Sequence, residues 1–317
     1  MYFVGITHAR VFKFFSNSHH DWLSNAGIDY VFIDEERQHA ENIKTLITAE
    51  IGSAELKRYP NLEAVIVPFA AINQLDIEAL LARNIRIFNT SAHAPFVAER
   101  ALALILAVLG KVVYFHKLLE NGDWAGRVEG RGFGKTWTSL FEKKVAIYGF
   151  GSIGQSLANL LKPFDVEIGI LRRKGHNFLD FQTFDSLEDL ARWSDVFVIS
   201  APLNDATKAS VNQSVMAALK DSVLINVGRG EIVDEKALFE SLSQNILAGF
   251  GCDVWYNYPT AETPICPPSH FPIETFENVV MTPHNGGSTE TADEVKYLDV
   301  AEQLKMIARG DYSRQVL

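Results

Sequence analysis

The chain is poor in cysteine, in extended basic runs and in long apolar stretches, and each shortage excludes a class of protein. Of 317 residues only Cys252 and Cys266 are cysteine, with no Cys-x-x-Cys pair, so neither a disulfide framework nor a thiolate zinc site is available. Two isolated thiols suit a reducing, cytoplasmic setting. Basic residues number 29 against 39 acidic ones, a formal charge of −10. An acidic chain without an extended Lys/Arg run is not built for nucleic acid or an anionic membrane surface. The most apolar run, Ala101 to Gly110, is about half as long as a membrane span. The first fifteen residues are interrupted by His8, Arg10 and Lys13 and show no small-residue cleavage site, unlike a signal peptide. No solenoid repeat and no low-complexity tract occurs.

What the sequence does have is apolar residues, 47% against 21% charged, enough for sizeable cores and incompatible with disorder. The length fits two domains at roughly 150 residues each. Short apolar runs at 30–33, 64–67 and 85–88 predict strands, with helical patterns at 41–48 and 76–82 between them. Pro95 fits the first turn of a long apolar helix through 98–119, which Asn121-Gly122-Asp123 breaks. Trp124 to Gly134 carries four glycines and predicts a loop or arm. A second series places strands at 144–148, 166–171, 196–200, 222–226, 248–251 and 279–282. Five prolines between Tyr256 and Pro272 exclude regular structure there, and 289–309 returns to a helical period. Strands alternating with helices predict an α/β fold of two domains with doubly wound parallel sheets.

The central chemical signal is Gly149-Phe150-Gly151-Ser152-Ile153-Gly154, which follows the strand Val145–Tyr148 and opens a helix that Pro163 closes. Gly149 permits the tight turn, Gly151 lets a pyrophosphate approach the backbone, and Gly154 lets helix and strand pack closely. The helix start offers N–H groups and positive dipole to phosphate. The next strand ends in Leu171-Arg172-Arg173-Lys174. A free ribose 2′-hydroxyl is ordinarily held there by Asp or Glu. Three cations suit a 2′-phosphate instead, so NADP(H) is the expected cofactor with NAD(H) possible. The plainer alternative for Arg172 and Arg173 is a solvated basic turn.

Two further segments follow strands, Asn226-Val227-Gly228-Arg229-Gly230 and Thr282-Pro283-His284-Asn285-Gly286-Gly287. Ligands of open α/β sheets lie at the carboxyl ends of strands, which makes Arg229 and His284 candidates for one crevice. Arg229 can grip a carboxylate bidentately and His284 can give and take a proton; a surface turn and a capped loop histidine are the bland alternatives. His19-His20-Asp21 lacks a spaced partner and reads as a solvated loop rather than a metal site. Phe12, Phe14, Phe15 and Trp22 read as core or interface residues.

With these residues in view the chain resembles the D-isomer-specific 2-hydroxyacid dehydrogenase family over nearly its whole length. The resemblance rests on Asn89-Thr90, Val97-Ala98-Glu99, the Gly149–Gly154 loop and Ala201-Pro202-Leu203 with Thr207. It continues through Val227–Gly230, Asp253-Val254-Trp255 and Thr282-Pro283-His284. It implies a flavodoxin-like substrate domain from residues 1–92 and 288–317, and a Rossmann-type dinucleotide domain over 93–287 with a dimerisation arm near 120–138. It implies an oxidoreductase moving hydride between NADP(H) or NAD(H) and a small 2-keto or D-2-hydroxy acid of the glyoxylate, hydroxypyruvate or 3-phosphoglycerate type. Arg229 would hold the substrate carboxylate, His284 would be the general acid and base, and Phe69, Ala70 and Ala71 would match the substrate loop. Cofactor contacts would also come from Pro202, Thr207, Val227, Gly228, Arg229, Asp253, His284 and Gly286. A homodimer is implied as well.

Two departures stand out. Five residues after Asp253, where the family carries a Glu that completes the histidine pair, this chain has Tyr258 before Pro259. A neutral phenol stabilises imidazolium less than a carboxylate does, so a lower His284 pKa and acid-favoured reduction are expected. Glu262 and Glu274 are alternative partners. The second departure is Phe69-Ala70-Ala71 where glycines are expected. Rival functions are a catalytically weak dinucleotide sensor of the co-repressor kind, which the missing Glu would suit, and a formate dehydrogenase-like enzyme.

Overall fold

In the computed structural model, residues 2–7, 20–25, 27–32, 40–129, 134–171 and 181–317 are described. Arg172, Arg173, Lys174, His19, Phe12, Phe14 and Phe15, and residues 130–133 of the expected arm, lie outside them. Contacts divide the chain into two units, 1–93 with 288–317 and 94–287. Among the described residues no helix is long and apolar enough to cross a membrane.

The first unit is a five-stranded sheet in the order β2-β1-β3-β4-β5. Its strands are β1 (Tyr2–Ile6), β2 (Ile28–Phe32), β3 (Thr45–Ile47), β4 (Ala64–Val67) and β5 (Arg86–Asn89), all parallel. The predicted helix over 41–48 is corrected here: 45–47 is a strand held between β1 and β4 with all three residues buried. Thr-Leu-Ile is short and partly β-branched, and burial on both faces favours the strand over a helical turn. The C-terminal helix Glu290–Ala308, capped by the Thr289 hydroxyl on Ala292 N–H, belongs to this unit. It buries Tyr297, Val300, Ala301, Leu304 and Ile307 with Val4, Ile6 and Ile66 in one core.

The second unit is a seven-stranded parallel sheet, β12-β11-β10-β9-β6-β7-β8. Its strands are β6 (Lys144–Tyr148), β7 (Glu167–Leu171), β8 (Gln182–Phe184), β9 (Val196–Ile199), β10 (Val223–Asn226), β11 (Gly249–Cys252) and β12 (Val279–Met281). Central strands β9 and β10 are buried throughout, which is why they read as continuous apolar runs. Helix Ala94–Leu109 buries Val97, Ala98, Ala101, Leu104, Ile105 and Val108 against this sheet, a spacing that keeps one face inward. The expected single helix to Leu119 is two: Gly110 and Lys111, the latter at φ 51°, break it before Val112–Glu120. A lysine in the left-handed region ends the i→i+4 ladder much as a glycine cap would. Strand order runs outward in both directions from the β6–β9 pair, and the carboxyl ends of strands at such a reversal are where ligands of open α/β sheets bind.

Candidate active site

Five loops of the second unit meet on the carboxyl rim of its sheet, one after each of β6, β9, β10, β11 and β12. After β6 the chain turns at Gly149, with φ 101°. A Cβ there would lie 2.3 Å from the Ala201 nitrogen. The Ser200 hydroxyl donates to the Gly149 carbonyl at 2.7 Å, fixing the first turn against the second strand end. Gly151 is the N-cap of helix Ser152–Leu161, with no side chain capping it and open space where its Cβ would project. Gly154 packs so tightly that a Cβ would meet the Gly149 carbonyl oxygen at 2.5 Å. An uncapped helix start beside an open glycine fits a dinucleotide pyrophosphate. Gly149→Ala is expected to lose dinucleotide binding and lower the unfolding temperature. Left-handed strain and overpacking against backbone each cost about 1–3 kcal/mol. Thermal unfolding of the cofactor-free protein, with a cofactor titration, checks both.

After β10, Asn226 shapes the Arg229 segment. Its side chain accepts from Gly228 N–H at 3.0 Å and donates to the Arg229 carbonyl at 2.9 Å. Arg229 is half-buried, and its Nη1 donates to the Gly228 carbonyl at 2.7 Å, which fixes one edge of the guanidinium. Gly230 is pressed to the Trp255 carbonyl, 2.4 Å from an imagined Cβ, so the β10 and β11 loops lie in direct contact.

After β11, Asp253 is buried, and its carboxylate organises the β12 loop. Oδ1 accepts from the Thr282 hydroxyl at 2.5 Å and from Asn285 N–H at 3.2 Å, and Oδ2 accepts from Gly286 N–H at 2.9 Å. Trp255 Nε1 adds a bond to the Thr282 carbonyl at 2.8 Å. His284 sits inside this frame with φ 54°, a strained conformation that the flanking bonds over-determine. Its Nδ1 meets the Tyr258 hydroxyl at 2.8 Å, and that hydroxyl accepts Trp255 N–H at 3.0 Å. The histidine keeps a solvent-accessible face, yet packing of its ring against protein holds its pKa below the ordinary value. The Arg229 charge adds to that lowering and Asp253 opposes it.

The family model described as D-isomer specific 2-hydroxyacid dehydrogenase, NAD binding domain, matches residues 102–286. The chain belongs to this family. A glyoxylate/hydroxypyruvate reductase of Arabidopsis thaliana is 32% identical over 256 residues, 78% of this chain and 74% of that protein. A glyoxylate reductase of Pyrococcus furiosus is 28% identical over 287 residues, 87% of this chain and 82% of its own. The solved NADPH-dependent glyoxylate/hydroxypyruvate reductase of Sinorhizobium meliloti, in complex with NADP and malonate, superposes with a TM-score of 0.77 at 25% identity. The match covers 96% of this chain and 93% of that one. This 2-hydroxyacid dehydrogenase is accordingly an NAD(P)-dependent oxidoreductase acting on CH–OH groups.

Within the second unit of this dehydrogenase, Gly149 to Gly154, Pro202, Val227, Gly228, Arg229, Asp253, Tyr258, His284 and Gly286 stand on or beside the five rim loops. Thr207 closes a loop of its own, donating to the Pro202 carbonyl at 2.7 Å and accepting from Asn204 N–H at 2.8 Å. The partner at His284 Nδ1 is Tyr258 rather than Glu262, which accepts from the Thr260 hydroxyl at 3.4 Å, or Glu274, which lies in the short turn Ile273–Thr275. Phe69, Ala70 and Ala71 follow β4 in the first unit, where Asn89 Nδ2 donates to the Ala70 carbonyl at 2.6 Å and the Lys296 ammonium lies 5.3 Å from the Phe69 ring. Sequence reasoning missed Ser200, Asn226 and Trp255 as supports of the site. Asn226 had a local signal, an Asn two residues before a glycine, which is how an Asx turn is written.

Proposed function

We propose that this protein is a reductase of small 2-keto acids, of the glyoxylate, hydroxypyruvate or 3-phosphoglycerate type, and the dehydrogenase of the matching D-2-hydroxy acids. The observation that carries this reading is the placement of Arg229 and His284 on one rim, on loops joined through the β11 loop, where Gly230 is pressed to the Trp255 carbonyl and Trp255 Nε1 bonds the Thr282 carbonyl. When bound, the nicotinamide supplies or takes up the hydride. Arg229 binds the substrate carboxylate through the edge of its guanidinium not turned to Gly228, and its charge polarises the neighbouring carbonyl. His284 gives a proton to the carbonyl oxygen from Nε2 in reduction and removes it in oxidation, since Nδ1 is engaged with Tyr258. Asp253 orients the histidine loop, and Gly149–Gly154 with Val227, Gly228 and Gly286 receive the cofactor. On the first unit, Phe69, Ala70 and Ala71 are proposed as substrate-binding residues.

NADP(H) is the proposed preference, on the cationic strand end Arg172-Arg173-Lys174. A homodimer through the second unit is proposed as well, on the apolar residues exposed along it: Leu106, Val112, Leu119, Trp124, Trp137 and Phe141. Two free thiols, one of them buried, suit the cytoplasm.

Steady-state reduction of glyoxylate, hydroxypyruvate and pyruvate with each nicotinamide tests the reading. Turnover with at least one acid is expected, faster with NADPH. Arg172→Asp is expected to move the preference toward NADH by about tenfold or more, since one lost charge-assisted bond is worth about 1.5–3 kcal/mol. Tight cofactor binding with no turnover on any acid would favour a sensor instead, and NADP+ reduction by formate would favour formate oxidation.

A further inference from the structure

Tyr258 stands where a carboxylate would hold the imidazole, and a hydroxyl differs from a carboxylate in having a proton to give. The Tyr258 oxygen accepts Trp255 N–H at 3.0 Å and meets His284 Nδ1 at 2.8 Å, with the two rings 5.4 Å apart and tilted by 51°. One O–H and two lone pairs leave two complementary arrangements. The phenol donates to Nδ1 of the neutral ring, or it accepts Nδ1–H from imidazolium. A carboxylate can only accept. When the phenol donates, the neutral ring is held with its proton on Nε2, the nitrogen left for substrate. The charged and titratable groups around this pair are Arg229 and Asp253 at the imidazole, and Arg229, Glu231 and Cys252 at the phenol. Burial raises the pKa of the Tyr258 phenol and keeps it protonated and able to donate, while Trp255 N–H and the Arg229 cation act against that rise and favour negative charge on its oxygen.

Building on the proposed role of His284, we propose that Tyr258 is a positioning and proton-relay residue. It fixes the neutral histidine as the Nε2–H tautomer and passes its own proton to Nδ1 as Nε2–H leaves for the substrate oxygen. As hydride adds to the carbonyl carbon, the C=O π pair moves to oxygen. The Nε2–H bond breaks and the substrate O–H forms, while the phenol O–H breaks and Nδ1–H forms. The ring stays neutral and the negative charge comes to rest on Tyr258, beside Trp255 N–H and Arg229. A solvent proton then reaches Nε2, and Nδ1–H returns its proton to the phenolate. The transfer runs downhill, because an alkoxide is more basic than a phenolate, including one whose basicity burial has raised.

Reduction by this route does not require imidazolium, so it persists through neutral pH. The acid-favoured profile expected from the sequence then belongs to an enzyme that lacks the hydroxyl. Long-range proton–nitrogen NMR of 15N-labelled, cofactor-free protein at pH 8 is expected to show His284 as the Nε2–H tautomer, and that preference is expected to weaken in Tyr258→Phe. With glyoxylate or hydroxypyruvate, Tyr258→Phe is expected to lose about 10- to 100-fold in kcat at pH 8 and less than about threefold at pH 5.5. Tyr258→Glu is expected to carry reduction to higher pH than Tyr258→Phe does, through a stabilised imidazolium. An Nδ1–H tautomer in the unaltered protein, or a loss in Tyr258→Phe that is equal at both pH values, overturns the relay. Should neither acid be turned over, the proposed function fails and the tautomer alone decides: Nε2–H upholds the hold of Tyr258 on the ring and Nδ1–H refutes it.

Discussion

His284→Asn is expected to lower kcat for both reduction and oxidation by about 10²- to 10⁴-fold, the usual worth of a positioned acid or base. KM for the acid and the dissociation constant for the nicotinamide should change little. Asparagine is the informative replacement because His284 sits at φ 54°, in the left-handed region that Asn tolerates better than most residues. The loop bonds from Asp253 go to Thr282, Asn285 and Gly286, so they survive the exchange. In the unaltered enzyme, oxidation needs the neutral ring as base. Packing around the ring and the Arg229 charge both disfavour the imidazolium, so the fall of the oxidation rate on acidification should come below the ordinary imidazole value of about 6.5. A stopped assay of D-2-hydroxy acid oxidation across pH 5 to 9 measures that limb. A descending limb above pH 7, or full activity in His284→Asn, would remove the histidine from the proton step.

The parts of this site that were legible in the sequence are those in which neighbours along the chain do the work. The Gly149–Gly154 turn follows from a strand, three glycines and a helix in immediate succession, and the geometry at Gly149 is what that spacing demands. Central strands β9 and β10 announced themselves because both faces are buried. By contrast β3 (Thr-Leu-Ile) and β8 (Gln-Thr-Phe) are as short as β12 but lack the continuous apolar Val-Val-Met run that marks it. The break at Lys111 was hidden because helical apolar spacing resumes directly after it. Within the site, the place of Tyr258 could be read by counting from Asp253. That its hydroxyl takes Trp255 N–H is a contact over three residues, but that the same hydroxyl meets His284 Nδ1 depends on a contact across 26 residues of chain. The hold of Asp253 on the β12 loop spans a similar distance and leaves no local trace. Long-range polar contacts are selected by the fold, and a single sequence records only their endpoints.

The second large effect is expected at Arg229. Replacing it by glutamine should reduce kcat/KM for 2-keto acids by roughly 30- to 5,000-fold, the equivalent of about 2–5 kcal/mol for truncating one partner of a hydrogen-bonded charge pair. Arg229→Lys should recover only part of the loss. Lysine restores the charge, but a point-like ammonium cannot hold a carboxylate while also bonding the Gly228 carbonyl in the planar arrangement that Nη1 now occupies. The same substitution carries an internal control. Since the Arg229 cation depresses the His284 pKa, its removal should raise that pKa, and the acid limb of oxidation should move to higher pH in Arg229→Gln but stay near its original place in Arg229→Lys. A surface arginine would give neither the loss nor the shift. A carboxylate ligand remote from the histidine would give the loss alone. Only a guanidinium that shares the rim with the imidazole gives both, so the pair of measurements tests the arrangement as well as the residue.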